Sequence, residues 1–185
     1  MKRLILLFLF ANTITAQVSN IVRNKDSYTQ DVFKYKGVRA IQIDEAHSPG
    51  NEENVFIFSK IEKNANPDKM YFQRFTKVKG EWILKSVFEV NHPGIISAWG
   101  SRKAFADYDK DKSIDALFIY GLYDANFKQQ TVNLIFSKKD QFYTIESKVL
   151  DGFATDTFSD NFDSLDEKTK NEILEYWGKL DKEDK

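Results

Sequence analysis

A nine-residue segment in the second half of the chain carries an oxygen-bearing side chain at every second position. These positions are Asp107, Asp109, Asp111, Ser113 and Asp115. In a strand, the four carboxylates would lie on one face and repel one another. In a loop, the same oxygens would converge on a hard cation such as Ca²⁺, which takes about six to eight oxygen ligands. Such spacing is typical of a calcium-binding loop, but a solvated acidic turn without an ion is favoured, because the sixth position of the loop, Lys112, is not the usual Gly.

Five residues would supply the ligands of this ion. They are the carboxylates of Asp107, Asp109 and Asp111, the backbone carbonyl of Ser113, and Asp115 directly or through a water. Lys112 stands where such loops normally carry Gly, because the chain turns sharply there. A left-handed residue other than Gly costs roughly 1 kcal/mol, and the positive charges of Lys110 and Lys112 oppose a cation. If calcium does bind, we expect a weak, structural site with a Kd on the order of 10⁻⁴–10⁻³ M, as in extracellular modules.

Short β segments separated by turn residues surround this loop. The predicted strands are Val38–Ile43, Val55–Phe58, Met70–Val78, Glu81–Val90, Ala116–Tyr120, Thr131–Ser137 and Phe142–Val149. They recur without helices between them, which favours an antiparallel meander over an alternation of strands and helices. Lys79-Gly80 has the composition of a hairpin turn. The expected fold class is mainly β: a single-domain antiparallel sheet meander, with a partial-propeller-like arrangement as a variant and an amphipathic helix at the C-terminus.

That helix is predicted over residues 164–180. Ser164 and Glu167 have the spacing of a capping box, in which each side chain satisfies a free backbone N–H of the other residue. Apolar residues and one Thr then recur at spacings of three and four, which places them on one face of the helix. They are Leu165, Thr169, Ile173, Tyr176, Trp177 and Leu180. The opposite face mixes both charges, which favours packing against the sheet over binding to a membrane surface or a partner.

The first sixteen residues have the layout of a secretory signal peptide, with a basic start, a short apolar run and a small-residue end before Gln17. The alternative is a buried N-terminal strand. We expect residues 17–31 to form a lead-in, residues 32–180 a single β-rich domain, and residues 181–185 a frayed tail. The predicted location is therefore outside the cytoplasm: the periplasm, the cell surface or the medium.

Composition narrows the class of protein further. Without residues 1–16 the chain has 25 basic and 28 acidic residues, a net charge of −3, since Lys2 and Arg3 are lost from 27. This balance predicts no nucleic-acid partner. The chain has no Cys, which excludes disulfides, thiol catalysis and cysteine zinc sites. An exported domain without disulfides must draw its stability from its core or from a bound metal. No transmembrane segment is expected in the mature chain.

No sequence motif nominates a catalytic residue. The two histidines, His47 and His92, lie in turn sequences, and neither a metalloprotease motif nor a nucleophile-elbow motif is present. Two aromatic residues are weak candidates for ligand binding, because aromatic rings stack on sugars. They are Trp99, which precedes Gly100, and Tyr120 at the end of a predicted strand. Core packing is the alternative use of such rings.

The Asp segment followed by the strand Ala116–Tyr120 resembles the calcium loop and strand of FG-GAP and VCBS propeller repeats, although here the motif occurs once. A second resemblance is to exported Bacteroidetes proteins named as surface polysaccharide biosynthesis proteins. Trp82, residues 107–120, residues 134–143 and Trp177 follow the order of features in those proteins. The chain departs from them by lacking the loop Gly and cysteines before the loop, and by having Asp115 where Glu is expected. This resemblance implies a role at the cell envelope and no particular reaction.

These observations predict a non-catalytic, exported binding module. Its Asp loop is a candidate for a structural calcium site, and an envelope protein or a polysaccharide is its candidate partner. The alternative is a small carbohydrate-active enzyme that uses a carboxylate pair. Such an enzyme requires two facing acids about 5–9.5 Å apart in a cleft. An inhibitor or chaperone-like partner in polysaccharide export is a third class, which sequence does not separate from the first.

Overall fold

Two antiparallel β-sheets make up most of the structure, a computed structural model that describes residues 19–21, 26–48 and 50–183. The first sheet contains β1 (Ser19–Ile21), β2 (Arg39–His47), β3 (Glu53–Lys60), β4 (Asp68–Val78) and β5 (Glu81–His92), in that order. The second contains β6 (Ile95–Ala106), β7 (Asp115–Tyr123), β8 (Gln129–Lys138), β9 (Gln141–Lys148) and β10 (Asp156–Phe158), also in chain order. The mainly β, antiparallel meander is thus confirmed, with two meanders instead of one.

The sheets enclose a core rich in phenylalanine. It contains Phe56, Phe58 and Phe72 from the first sheet and Phe118 and Ile135 from the second. Phe72 and Phe118 lie at the centre of this core, with ring centroids 4.8 Å apart. Such close aromatic contacts between the sheets hold them face to face.

The outer face of each sheet is also covered, which explains the near-continuous apolar runs of the central strands. A short helix, α1 (Gln30–Phe33), packs Phe33 against Phe75 and Trp82 on the first sheet. The C-terminal helix, α2 (Glu167–Lys179), buries Ile173 and Trp177 against the second sheet. The predicted packing of this helix on the sheet is therefore confirmed.

The predicted start of this helix is wrong. Ser164 does not cap it, because Ser164 ends a short 3₁₀ turn and donates its hydroxyl to the carbonyl of Asn161 at 2.7 Å. Asp166 is the N-cap, and its carboxylate accepts the backbone N–H of Thr169 at 2.9 Å. This bond holds the pKa of Asp166 down at about 2. The helix therefore spans Glu167–Lys179 and not residues 164–180.

The N-terminal and C-terminal predictions fall partly outside the described residues. The predicted signal peptide, residues 1–16, lies wholly outside them. The predicted lead-in, residues 17–31, contributes β1, which pairs with β2 through Ile21 and Asp44. Among the described residues, no helix has the length and apolar character needed to cross a membrane.

Candidate cation-binding loop

The Asp-rich segment forms the loop that joins two neighbouring strands of the second sheet. Ala106 at the end of β6 pairs with Asp115 at the start of β7, so that the residues between them form the loop of a hairpin. Asp107, Asp109 and Asp111 each place one carboxylate oxygen within 4.8 Å of the other two. The structure thus brings together three of the four carboxylates that the sequence predicted to converge, and Asp115 does not belong to this group.

The loop backbone turns as the predicted ligand arrangement requires. Lys110 and Lys112 both have left-handed backbone conformations, with φ of 64° and 70°. The sharp turn at Lys112 is therefore present without the usual Gly, at a cost of roughly 1 kcal/mol. The N–H of Lys112 donates to Asp107 Oδ2 at 2.9 Å, and the N–H of Ser113 donates to Asp111 Oδ1 at 2.8 Å. These bonds shape the loop around its own carboxylates.

Neighbouring elements hold the loop in place. The Tyr108 ring packs against Phe136 of β8 with centroids 5.5 Å apart. Lys168 of α2 donates to the Tyr108 carbonyl at 2.9 Å. On the other side, the chain between β2 and β3 approaches so closely that a Cβ at Gly50 would lie 2.9 Å from the Lys112 carbonyl oxygen. The loop therefore rests on both sheets and on the C-terminal helix.

Asp115 lies at the base of the loop and is completely buried. Its Oδ2 accepts the N–H of Tyr108 at 3.2 Å, whereas its Oδ1 has no hydrogen-bond partner among the described residues. Asp107 Oδ1 is likewise buried without a partner in the described part of the chain. Burial raises the pKa of Asp115 to about 7, the Tyr108 N–H opposes this, and the charge of Asp109 adds to it. Unpaired buried oxygens of this kind are costly unless a donor or a cation satisfies them.

Two lysines from β8 and its following turn partly neutralise the loop. Lys138 Nζ lies 2.8 Å from Asp109 Oδ2, and Lys139 Nζ lies 2.8 Å from Asp111 Oδ2. Although burial opposes it, the Lys139 contact and the Ser113 N–H hold the pKa of Asp111 below its ordinary value. A cation in the loop would therefore compete with two ammonium groups, which lowers its affinity.

The structure uses the Ser113 side chain in a way that sequence did not predict. Its hydroxyl donates to Glu52 Oε2 at 3.1 Å and accepts from Arg74 Nη2 at 3.1 Å. Arg74 is only 2% exposed, and it also donates to Asn54 Oδ1 at 3.2 Å and to the Lys139 carbonyl at 2.9 Å. Burial lowers the pKa of Arg74, while the nearby Glu52 opposes that shift.

A pocket of about 270 Å³ opens beside this arginine. Its lining residues are Glu52, Arg74, Thr76, Lys85, Ser113, Lys139 and Asp140. They come from two strands of the first sheet, β4 and β5, and from three connecting segments, so no spacing in the sequence could have pointed to them. The pocket and the Asp loop share Ser113, and Lys139 reaches from the pocket rim to the loop.

The two predicted aromatic positions lie in packed regions. Trp99 is 9% exposed, donates its indole N–H to the Tyr123 hydroxyl at 3.0 Å, and is covered by the guanidinium of Arg102 at 4.5 Å from its ring. Tyr120 is 5% exposed and belongs to the core between the sheets. Since neither residue presents an open ring face, we place neither in the candidate site.

No protein-family model, no curated protein and no solved structure matches this chain. The resemblances to calcium-loop repeats and to polysaccharide biosynthesis proteins therefore stay predictions. What the chain can bind has to be argued from its own geometry.

Proposed function

We propose that this protein is a non-catalytic, exported binding module of the cell envelope or the extracellular space, with a structural calcium ion in the loop Asp107–Asp115. The convergence of three loop carboxylates within 4.8 Å carries the metal part of this proposal. Asp107 Oδ1 supports it, because this oxygen is buried without a hydrogen-bond partner among the described residues and a bound cation would supply one.

The ligand chemistry favours calcium over other divalent ions. The side-chain ligands of the loop are all oxygens, and the chain has no Cys to attract a softer metal. Calcium tolerates irregular coordination, whereas Mg²⁺ demands a near-ideal octahedron. The competing charges of Lys138 and Lys139 lead us to expect a Kd on the order of 10⁻⁴–10⁻³ M, which suits an extracellular calcium concentration.

In this proposal the ion has a structural role. It neutralises the carboxylates of the β6–β7 loop, replaces the lysine contacts of Asp109 and Asp111, and fixes the direction in which β7 starts. Because Asp115 is the first residue of β7, the ion would join the loop to a strand that is buried at seven consecutive positions.

Thermal unfolding tests the metal part. The melting temperature of the full exported chain is measured with 5 mM CaCl₂ (on the order of ten times the expected Kd) and with a chelator. We expect calcium to raise the melting temperature of the wild type, because binding to the native state stabilises it. Asp109→Asn removes one ligand charge at nearly constant shape, and its melting temperature should not respond. Identical responses of the two proteins would refute the calcium site.

The location rests on the N-terminal sequence, and it has its own test. We expect the mature protein in a fraction outside the cytoplasm, with Gln17 as its first residue. Mass spectrometry of the fractionated protein measures both. A chain that retains residues 1–16 in the cytoplasmic fraction would contradict the proposed location.

One observation favours the alternative of a carbohydrate-active enzyme, and another opposes it. Asp115 has the raised pKa that such an enzyme requires of its acid. Its carboxyl is completely buried at the base of the loop, whereas a glycosidase acid must reach the glycosidic oxygen. Binding without turnover is therefore the function that the geometry supports best.

A further inference from the structure

We propose that the pocket beside Arg74 binds a small hydroxylated monoanion of the sugar-acid class. This inference deepens the proposed binding function by naming a class of ligand. It depends on the pocket and not on the presence of calcium in the neighbouring loop.

The positive charge of the pocket comes from three side chains at different depths. Arg74 forms its floor and is almost completely buried, whereas Lys85 and Lys139 are exposed at its rim. The nearest carboxylate oxygen to the buried guanidinium is Glu52 Oε2, 3.5 Å from Nη2. Three neutral oxygens, of Asn54, Ser113 and the Lys139 backbone, accept the hydrogen bonds of this guanidinium. The charges of Asp111, Asp115 and Asp140 act on it less than that of Glu52. An incoming anion would add to this charge compensation.

Lys85 is the rim group best placed to meet a ligand. It lies on β5, the edge strand of the first sheet, and forms no ion pair within the described residues. Its ammonium therefore loses no existing contact when it binds an anion. Lys139 is held by Asp111 at 2.8 Å and contributes mainly its positive potential.

The other lining groups select against a multiply charged anion. Glu52 and Asp140 bring two negative charges to the same pocket, which repel a phosphate dianion more strongly than a single carboxylate. Their oxygens, together with the hydroxyls of Thr76 and Ser113, form hydrogen bonds with ligand hydroxyls. A carboxylate near the cations and hydroxyls near the acids is the pattern that a sugar acid presents.

The size of the pocket fits the same class. Its volume of about 270 Å³ lies just below the range of roughly 300–1,000 Å³ typical of pockets for drug-sized ligands. It therefore holds one sugar-acid residue, either free or at the end of an acidic polysaccharide.

Three ligands separate the contributions of charge and of hydroxyl groups to binding. D-glucuronate carries both a carboxylate and hydroxyls, D-glucose carries hydroxyls only, and inorganic phosphate carries charge only. Each is titrated against the full chain by protein-observed NMR in the presence of a chelator. We expect glucuronate to bind with a Kd of about 1–10 mM and both controls to bind at least about tenfold more weakly. Equal binding of glucose or phosphate, or no binding of glucuronate at about 50 mM, would overturn the proposal.

Lys85→Gln locates the binding without disturbing buried structure, because Lys85 is exposed. We expect glucuronate affinity to fall about three- to tenfold. The matched control is Lys63→Gln, which makes the same charge change in an exposed turn beyond the far end of β3. Equal affinities of the two variants would overturn the assignment to this pocket. A terminal glucuronate of an oligosaccharide, tested in a further titration, distinguishes polymer ends from free sugar acids.

The two proposals fail separately. Loss of the calcium response with intact glucuronate binding refutes only the metal loop. Absence of glucuronate binding in a protein that binds calcium refutes only the sugar-acid pocket.

Discussion

Two regions of the molecule pair lysine with aspartate, and they differ in how completely the carboxylates are satisfied. In the core between the sheets, Lys60 pairs with Asp68. The backbone of Ile96 joins this pair, since its N–H donates to Asp68 Oδ2 and its carbonyl accepts from Lys60, both at 2.9 Å. In the Asp loop, Lys138 and Lys139 reach the outer oxygens of Asp109 and Asp111 from more exposed positions.

The difference separates a closed structural contact from a candidate binding site. The Lys60–Asp68 pair connects β3 and β4 to β6 of the other sheet, and Asp68 Oδ2 accepts from both Lys60 and the Ile96 N–H. The loop has four carboxylates for two lysines, and within the described part of the chain one oxygen each of Asp107 and Asp115 is buried without a hydrogen-bond partner. Lysine and aspartate thus satisfy each other in the core between the sheets, whereas in the Asp loop carboxylate oxygens remain that could coordinate a cation.

The largest predicted effect comes from breaking the closed pair. Lys60→Met should lower the free energy of unfolding by about 3–5 kcal/mol, because Asp68 would be left as a buried, uncompensated charge. Urea denaturation measures this. Lys77→Met is the control, since Lys77 pairs with Glu53 at a partly exposed site and should cost about 0–1 kcal/mol. Similar losses in the two variants would show that the core pair is no more important than a surface pair.

The pH dependence of stability tests the open region. The pKa of Asp115 is about 7 in the folded protein, above its ordinary value of 3.8, so that the folded state holds an extra proton between these pH values. The free energy of unfolding without calcium should therefore fall as pH rises from about 4 to 7, by up to about 4 kcal/mol. Asp115→Asn should reduce this slope. An unchanged slope in the variant would show that Asp115 is not the group responsible.

A smaller effect concerns the start of α2, which lies next to the loop. Lys138 connects the two regions, because its ammonium contacts both Asp109 of the loop and Asp166 at the helix start. Asp166→Ala removes the observed N-cap and should destabilise the protein by about 0.5–2 kcal/mol in urea denaturation. Ser164→Ala, at the predicted but incorrect cap, should cost at most about 0.5 kcal/mol. A larger loss of stability for Ser164→Ala than for Asp166→Ala would show that Ser164 caps the helix after all.

The smallest effect is a gain. Lys112→Gly removes a left-handed lysine and one competing positive charge, and should raise the free energy of unfolding by about 0.5–1 kcal/mol. It should also tighten calcium binding, as measured by calorimetric titration. Lys79→Gly provides the comparison, because Lys79 has a similar φ of 52° in a hairpin remote from the loop. Equal calcium affinity of the two variants would contradict the role assigned to Lys112.

Local sequence signals predicted those parts of the fold that depend on neighbouring residues. Lys79 and Gly80 form the expected hairpin turn with positive φ at both residues. The predicted strand Ala116–Tyr120 lies within β7. The sequence missed β6, because its register with β7 is irregular between Ala98 and Lys103 and its apolar alternation is weak.

The candidate site shows the same difference between features that depend on neighbouring residues and features that depend on distant ones. The convergence of the Asp carboxylates follows from their spacing in one loop, and it was predicted. The pocket was not, because Arg74, Lys85 and Lys139 meet only after β4, β5 and the β8–β9 turn have been brought together. The residues next to Arg74 in the sequence give no sign that this arginine is buried, whereas Lys85 and Lys139, the other cations of the pocket, are exposed.

Equilibrium dialysis against Ca²⁺ tests the central claim most directly, since it counts the ions bound to the native protein. We predict about one calcium ion per wild-type chain, with a Kd on the order of 10⁻⁴–10⁻³ M, and none bound to Asp109→Asn. Wild-type protein that binds no calcium at about 5 mM, or an Asp109→Asn variant that binds it equally well, would contradict the account.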